Sequence, residues 1–126
     1  EERLKDLFSK SKSFNFNNFF IDLAGGFNLK KIIPSRRIKI CNNELLFLKG
    51  IYTNTACSYL VSRNLIELFY AEYQKTKSNK YFPIDHLINK LGLKIKKNHY
   101  IYSIHFHNPL FTHGSFKGNI KSWQNY

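Results

Sequence analysis

The sequence predicts an α/β domain, and three observations predict it. Apolar, strand-like runs alternate along the chain with stretches of helical spacing, the pattern of interleaved strands and helices. The 126 residues are 43% hydrophobic and 17% aromatic, enough to close one modest core. No internal repeat and no long low-complexity segment interrupts the pattern. We therefore expect one domain over residues 1–126, with α/β as the class and α+β as the neighbouring alternative.

The elements follow in order. Residues 2–11 carry Leu4, Leu7 and Phe8 at helical spacing among charges and predict an amphipathic helix. SFNFNN (13–18) is a polar connection. FFIDLA (19–24) is an apolar run stopped by Gly25 and Gly26, which predicts a buried strand. The chain is basic and irregular around Pro34, and RIKICNN (37–43) alternates like an edge strand. ELLFLKG (44–50) is ambiguous between strand and helix. TACSYLVS (55–62) is β-rich. RNLIELFYAEYQK (63–75) places Leu65, Leu68, Phe69 and Tyr73 on one helical face, with Ser62 as a natural N-cap. TKSNK (76–80) reads as a loop. Pro83 opens a second helix that Gly92 is expected to close from the C′ position. NHYIYSIHFH (98–107) reads as a strand, and a closing loop follows Pro109.

Charge and composition narrow the function. The net charge is +12, a field that favours anionic partners such as phosphates, nucleic acid, acidic lipid headgroups or acidic glycans. The positive residues are spread along the chain, the densest runs being KKIIPSRRIK (30–39) and KIKK (94–97). No apolar run approaches the roughly 20 residues that span a bilayer. The start, EERLKDLFSK, lacks the apolar centre of a secretory signal. Cys41 and Cys57 lack metal-type spacing and read as buried free thiols in a reducing compartment.

Three groups of residues could carry chemistry. Asp85, in FPIDHL, stands at the mouth of a helix behind a proline that limits the local backbone. It reads either as a helix N-terminal acid satisfying free N–H groups or as a positioned carboxylate. His105 and His107 alternate on one face of a strand, with His113 six residues further on. Such loose spacing favours ordinary strand-face histidines over a metal site. His113 differs, because it opens the loop HGSFKG. There Gly114 and Gly118 allow backbone N–H groups to approach a ligand, Ser115 adds a hydroxyl, and Lys117 and Lys121 add charge. Those are the groups a phosphate needs, although a flexible basic tail has the same composition. The loop is not GxxxxGK[ST], and GxSxG, CxxC and HExxH are absent.

Taken in order, three segments resemble glycosyltransferase family 25, which includes lipooligosaccharide galactosyltransferases and collagen galactosyltransferases. TNTACSYLVSRNLIELF (53–69) is similar to the family's T-x-x-Y-L-I-S-R-x-x-A-x-x-L segment. FPIDHLINKLGLK (82–94) is similar to its P-[IV]-D segment, and NPLFTHGSFKGNIKSW (108–123) to its C-terminal segment. FFIDLAGG resembles the D-x-I-x-L-G strand more loosely. The resemblance implies a GT-A-like, Rossmann-related fold. It also implies transfer of a sugar, often galactose, from a UDP-sugar to a glycan or lipid-linked glycan acceptor, with a divalent metal such as manganese. Carried over by position, Asp85 becomes a positioning group or base, His113 a metal ligand, and Gly114, Ser115 and Lys117 the groups facing the diphosphate.

The sequence departs from the family in one respect. GT-A enzymes hold metal and nucleotide with D-x-D or a similar acidic motif, and the only adjacent acids here are Glu1 and Glu2. With no methionine in the chain, the expectation is the C-terminal half of such an enzyme, inactive or nearly so by itself. It would be cytoplasmic, with peripheral contact to the inner face of an anionic membrane. The alternatives are a small basic nucleic-acid-binding protein, with Tyr100, Tyr102, Phe106, Phe116 and Trp123 for stacking, and a non-catalytic remnant binding a glycan or partner. The lysines lie on no single recognisable element, so no nucleic acid is expected as partner.

Overall fold

The computed structural model describes Lys5, residues 17–25, Lys30, and residues 32–40, 42–54, 58–75 and 83–111. The helix expected over 2–11 lies outside these residues except for Lys5, which is helical. The structure is a mixed α/β domain. Its strands are β1 (Phe19–Asp22), β2 (Arg36–Ile40), β3 (Asn43–Lys49), β4 (Tyr59–Val61) and β5 (Tyr102–Phe106). Its helices are α1 (Arg63–Lys75) and α2 (Ile84–Ile95). The strands form one sheet in the order β2-β3-β5-β1-β4. β1 and β5 run parallel, with Asp22 opposite His105, and the other pairings are antiparallel.

Strand position follows composition. β2 alternates basic and apolar residues and occupies an edge, where charged side chains face water and discourage further pairing. β3 resolves the ambiguity of 44–50: Leu45, Leu46, Phe47 and Leu48 are all buried, as befits a strand paired on both sides and covered on both faces. One sheet face gathers Ile21, Ile40, Leu45, Phe47, Ile104 and Phe106. Across the other face, Phe20 meets Leu65 of α1 and Ile88, Leu91 and Ile95 of α2, with Ile51 and Ile101 alongside.

Helix α1 has the expected bounds. Its first turn is held by Ser62, whose Oγ accepts from the Leu65 N–H at 3.4 Å and from the Phe19 N–H at 3.1 Å. The same serine thus caps the helix and ties it to the start of β1. Tyr73 is largely exposed, a departure from the expected face. Glu72 takes the inward flank instead, near Lys75 and Lys94.

Gly92 overturns an expectation. It lies inside α2, which runs on to Ile95, and it does not cap the helix. A Cβ built there would stand 2.7 Å from Ile51 Cβ, so the glycine is a contact surface rather than a stop signal. Gly92→Ala would gain about 1 kcal/mol of helix propensity. Overpacking against buried Ile51 costs about 1–3 kcal/mol, and no rotamer change moves a Cβ. We expect a net loss of about 1 kcal/mol, read as a lower urea midpoint. A raised midpoint would show that α2 does not press on Ile51.

Among the described residues no helix is long and apolar enough to cross a membrane.

Candidate functional site

The carboxyl edge of the two parallel strands collects the polar residues that the core does not explain. Asp22 ends β1 on the helix-covered face, two residues beyond Phe20. Its Oδ1 accepts from the Ala24 N–H at 3.0 Å and the Gly25 N–H at 2.9 Å, and its Oδ2 accepts from the Thr53 hydroxyl at 3.2 Å. The chain can turn this sharply because Gly25 sits at φ +70°, where a side chain would also strike Pro109. Leu110 and Phe111 then donate their N–H groups to the Leu23 carbonyl at 2.9 and 3.1 Å. The segment Leu110–Phe111 is therefore anchored beside Asp22.

Helix α2 brings its amino-terminal half to the same edge. The Asn89 side chain makes a two-way pair with the Thr53 peptide, accepting from its N–H at 2.9 Å and donating to its carbonyl at 2.7 Å. Asp85 is one turn earlier on that face, is buried, and accepts from the His86 N–H at 3.0 Å. It is the second residue of the helix, after Pro83 as N-cap, which matches its reading as an N-terminal acid. The structure thus gathers Asp22, Thr53, Asn89 and, one turn from Asn89, Asp85.

His105 adds a buried titratable group. Its Nδ1 lies 3.9 Å from Asp22 Oδ2, too far for a hydrogen bond. Burial holds its pKa down to about 4, with hydrogen bonding to the Tyr52 backbone pulling weakly the other way. At neutral pH the pair is therefore a neutral imidazole beside a carboxyl group and not an ion pair. Burial also raises the Asp22 pKa, partly offset by the donors from Gly25, Ala24 and Thr53. Ser103, on the same strand face as His105, is fully buried and finds no partner for its hydroxyl among the described residues. His107 lies past the end of β5 and is exposed, so the two histidines do not form the paired strand face that alternation predicts. Buried polar groups of this density are costly, and they concentrate where a fold does chemistry.

Several expected site residues lie elsewhere. His113, Gly114, Ser115 and Lys117 fall outside the described residues. Asp22, Thr53 and Asn89 were not singled out from sequence, and His105 was read there as an ordinary strand-face histidine. A carboxylate inside the apolar run FFIDLA, just before two glycines, was the signal available for the first of them. Among the described residues no three His, Cys, Asp or Glu side chains are grouped to hold a metal.

The class that fold and site define is a mixed α/β domain with a buried polar cluster at the carboxyl edge of its parallel strands. No family model matches the chain, and comparison with curated proteins and with solved structures finds no match.

Proposed function

We propose that the chain forms part of a sugar-transferring enzyme with a GT-A-like fold. It would act with a UDP-sugar donor, galactose being the sugar the family resemblance favours, on a surface glycan such as lipooligosaccharide. One observation carries the proposal. The three segments that resemble family 25 are separate in sequence, and each places a residue at the same edge of the sheet. Thr53 of the first is bonded to Asn89 of the second, and Phe111 of the third is bonded to Leu23, next to Asp22. In open α/β sheets the carboxyl edge of the parallel strands is where ligands bind.

The chemistry asks little of the chain beyond positioning. An acceptor hydroxyl attacks the anomeric carbon, the bond from that carbon to the diphosphate oxygen breaks, and the hydroxyl proton leaves to a base. Asp85 is the candidate for that proton. Gly114, Ser115 and Lys117 are the candidates for holding the departing diphosphate, whose charge needs donors and cations. Manganese enters through the resemblance, with His113 as the residue that would help hold it.

The test is calorimetric titration of UDP into this chain with and without manganese. We expect binding that manganese strengthens, and we expect His113→Ala to raise the manganese concentration it requires. No binding in either condition overturns the assignment of Gly114, Ser115 and Lys117 to the diphosphate, and fits a half-enzyme whose nucleotide site needs the acidic motif this sequence lacks. Binding that ignores both manganese and His113→Ala removes His113 from the site.

A further inference from the structure

We propose that the end of the domain opposite the candidate site is a docking face for an anionic lipid bilayer. This stands apart from the sugar-transfer proposal, since a chain that transfers nothing could still carry it. The charge pattern is the first ground. All eight acids lie at or before Asp85, and residues 86–126 contain none. Helix α2 begins at the candidate site and runs away from it, so its lysine-rich half arrives at the far end of the sheet.

The residues there are contiguous. Lys49 ends β3 opposite Tyr102, and the next N–H, from Gly50, donates to the Ile101 carbonyl at 2.9 Å. Lys96 reaches the same corner, with its Nζ 3.5 Å from the Tyr52 hydroxyl and 5.9 Å over that ring. Lys97 follows, and Tyr100 is tied to the start of β1 by the Asn18 side chain at 3.2 Å. Lys49, Lys96, Lys97 and Tyr100 are all exposed.

One explanation that needs no partner covers only part of this. Lysines near the carboxyl end of a helix offset its dipole, which accounts for Lys94 and Lys96. It does not account for Leu93, 55% exposed on α2, or Tyr100, 87% exposed in the turn beyond. A face that pairs compact lysine charges with a protruding aliphatic and a protruding tyrosine suits the headgroup boundary of a bilayer. The ammonium groups meet lipid phosphates, Leu93 enters the acyl edge, and tyrosine settles at the interface. A nucleic acid would use Tyr100 but would gain nothing from Leu93, and the planar guanidinium that favours phosphate and base recognition is absent from these residues.

The test is flotation of the intact chain with vesicles of phosphatidylcholine, alone or mixed with phosphatidylglycerol. We expect binding to the mixed vesicles only, weakened by salt. A lysine near an anionic surface changes affinity about fivefold. Lys96→Gln with Lys97→Gln should therefore weaken binding more than about tenfold. Leu93→Ser should weaken it while leaving the salt dependence unchanged. The control pair Arg36→Gln with Lys39→Gln removes the same charge from the β2 edge and should change binding little. Equal binding to neutral vesicles, no binding to either, or equal loss in the control pair overturns the proposal. Tighter, salt-sensitive binding of single-stranded RNA through Lys96 and Lys97 also overturns it and reassigns the face. None of these readouts involves UDP, so they leave the transferase proposal untouched.

Discussion

Phe20→Ala is expected to lower the unfolding free energy by about 3–5 kcal/mol, the largest effect of any single change considered for this domain. Phe20 is fully buried on the sheet face beneath both helices, in one cluster with Leu65, Ile88 and Leu91. Its ring also stacks on Tyr59 of the neighbouring strand at 5.1 Å between centroids. Truncation removes the apolar area that both helices share and leaves a void that neither can fill without tilting. A domain of this size has about 5–15 kcal/mol in total, so the variant should populate unfolded chain under mild denaturant. Urea unfolding followed by circular dichroism reads the change directly. Phe20→Leu, which keeps most of the volume, should cost about 1 kcal/mol. A loss below about 1 kcal/mol for the alanine would mean that the helices do not rest on β1. Asp22 is two residues further along the same strand face, so the alanine should also loosen the candidate site.

Acidification from pH 6.5 to pH 4 is expected to destabilise the domain, with His105 as the cause. Its pKa is about 4 in the folded chain against 6.5 unfolded, because burial disfavours the imidazolium. Between those values the unfolded chain binds a proton that the folded chain refuses. The contribution is therefore fully present above pH 6.5 and is lost as pH falls towards 4, at most about 3 kcal/mol. Asp22 works in the opposite sense. Its pKa is raised above 3.8, so the folded chain keeps a proton that the unfolded chain releases, and its contribution is lost as pH rises from 3.8 upward. The measurable slope is the His105 loss less the Asp22 gain. Unfolding free energies between pH 4 and 7 should show a slope that flattens in His105→Leu and steepens in Asp22→Asn. Parallel profiles for the native chain and His105→Leu would show that His105 is not buried as described.

Much of the fold was legible because much of it is local. Helix α1 announces itself through Leu65, Leu68 and Phe69 at three- and four-residue spacing and through Ser62 at its start. β1 and the edge position of β2 follow from an apolar run and from charged alternation. These signals lie within a few residues of one another, as helix and strand periodicity requires. Gly92 was misread for the same reason. Near the end of a predicted helix a glycine resembles a cap, and only the approach of Ile51 reveals its purpose.

The candidate site divides along the same line. Asp85 could be picked out by its proline and its place at a helix start, both local facts. The cluster around Asp22 could not, because its bonds join residues 31 and 36 positions apart. Histidines at 105 and 107 look equivalent in sequence, yet one is buried against Asp22 and the other is exposed beyond the strand end.

The sequence by itself determined the class, the elements with strong periodicity, and the separation of charge that leaves residues 86–126 without an acid. Tertiary structure alone decided which strands pair, what Gly92 is for, and that Asp22, Thr53, Asn89 and His105 share one edge. Periodicity is written by neighbours in the chain. A polar cluster is written by strand order, which brings together residues that carry no mark of one another until the sheet forms.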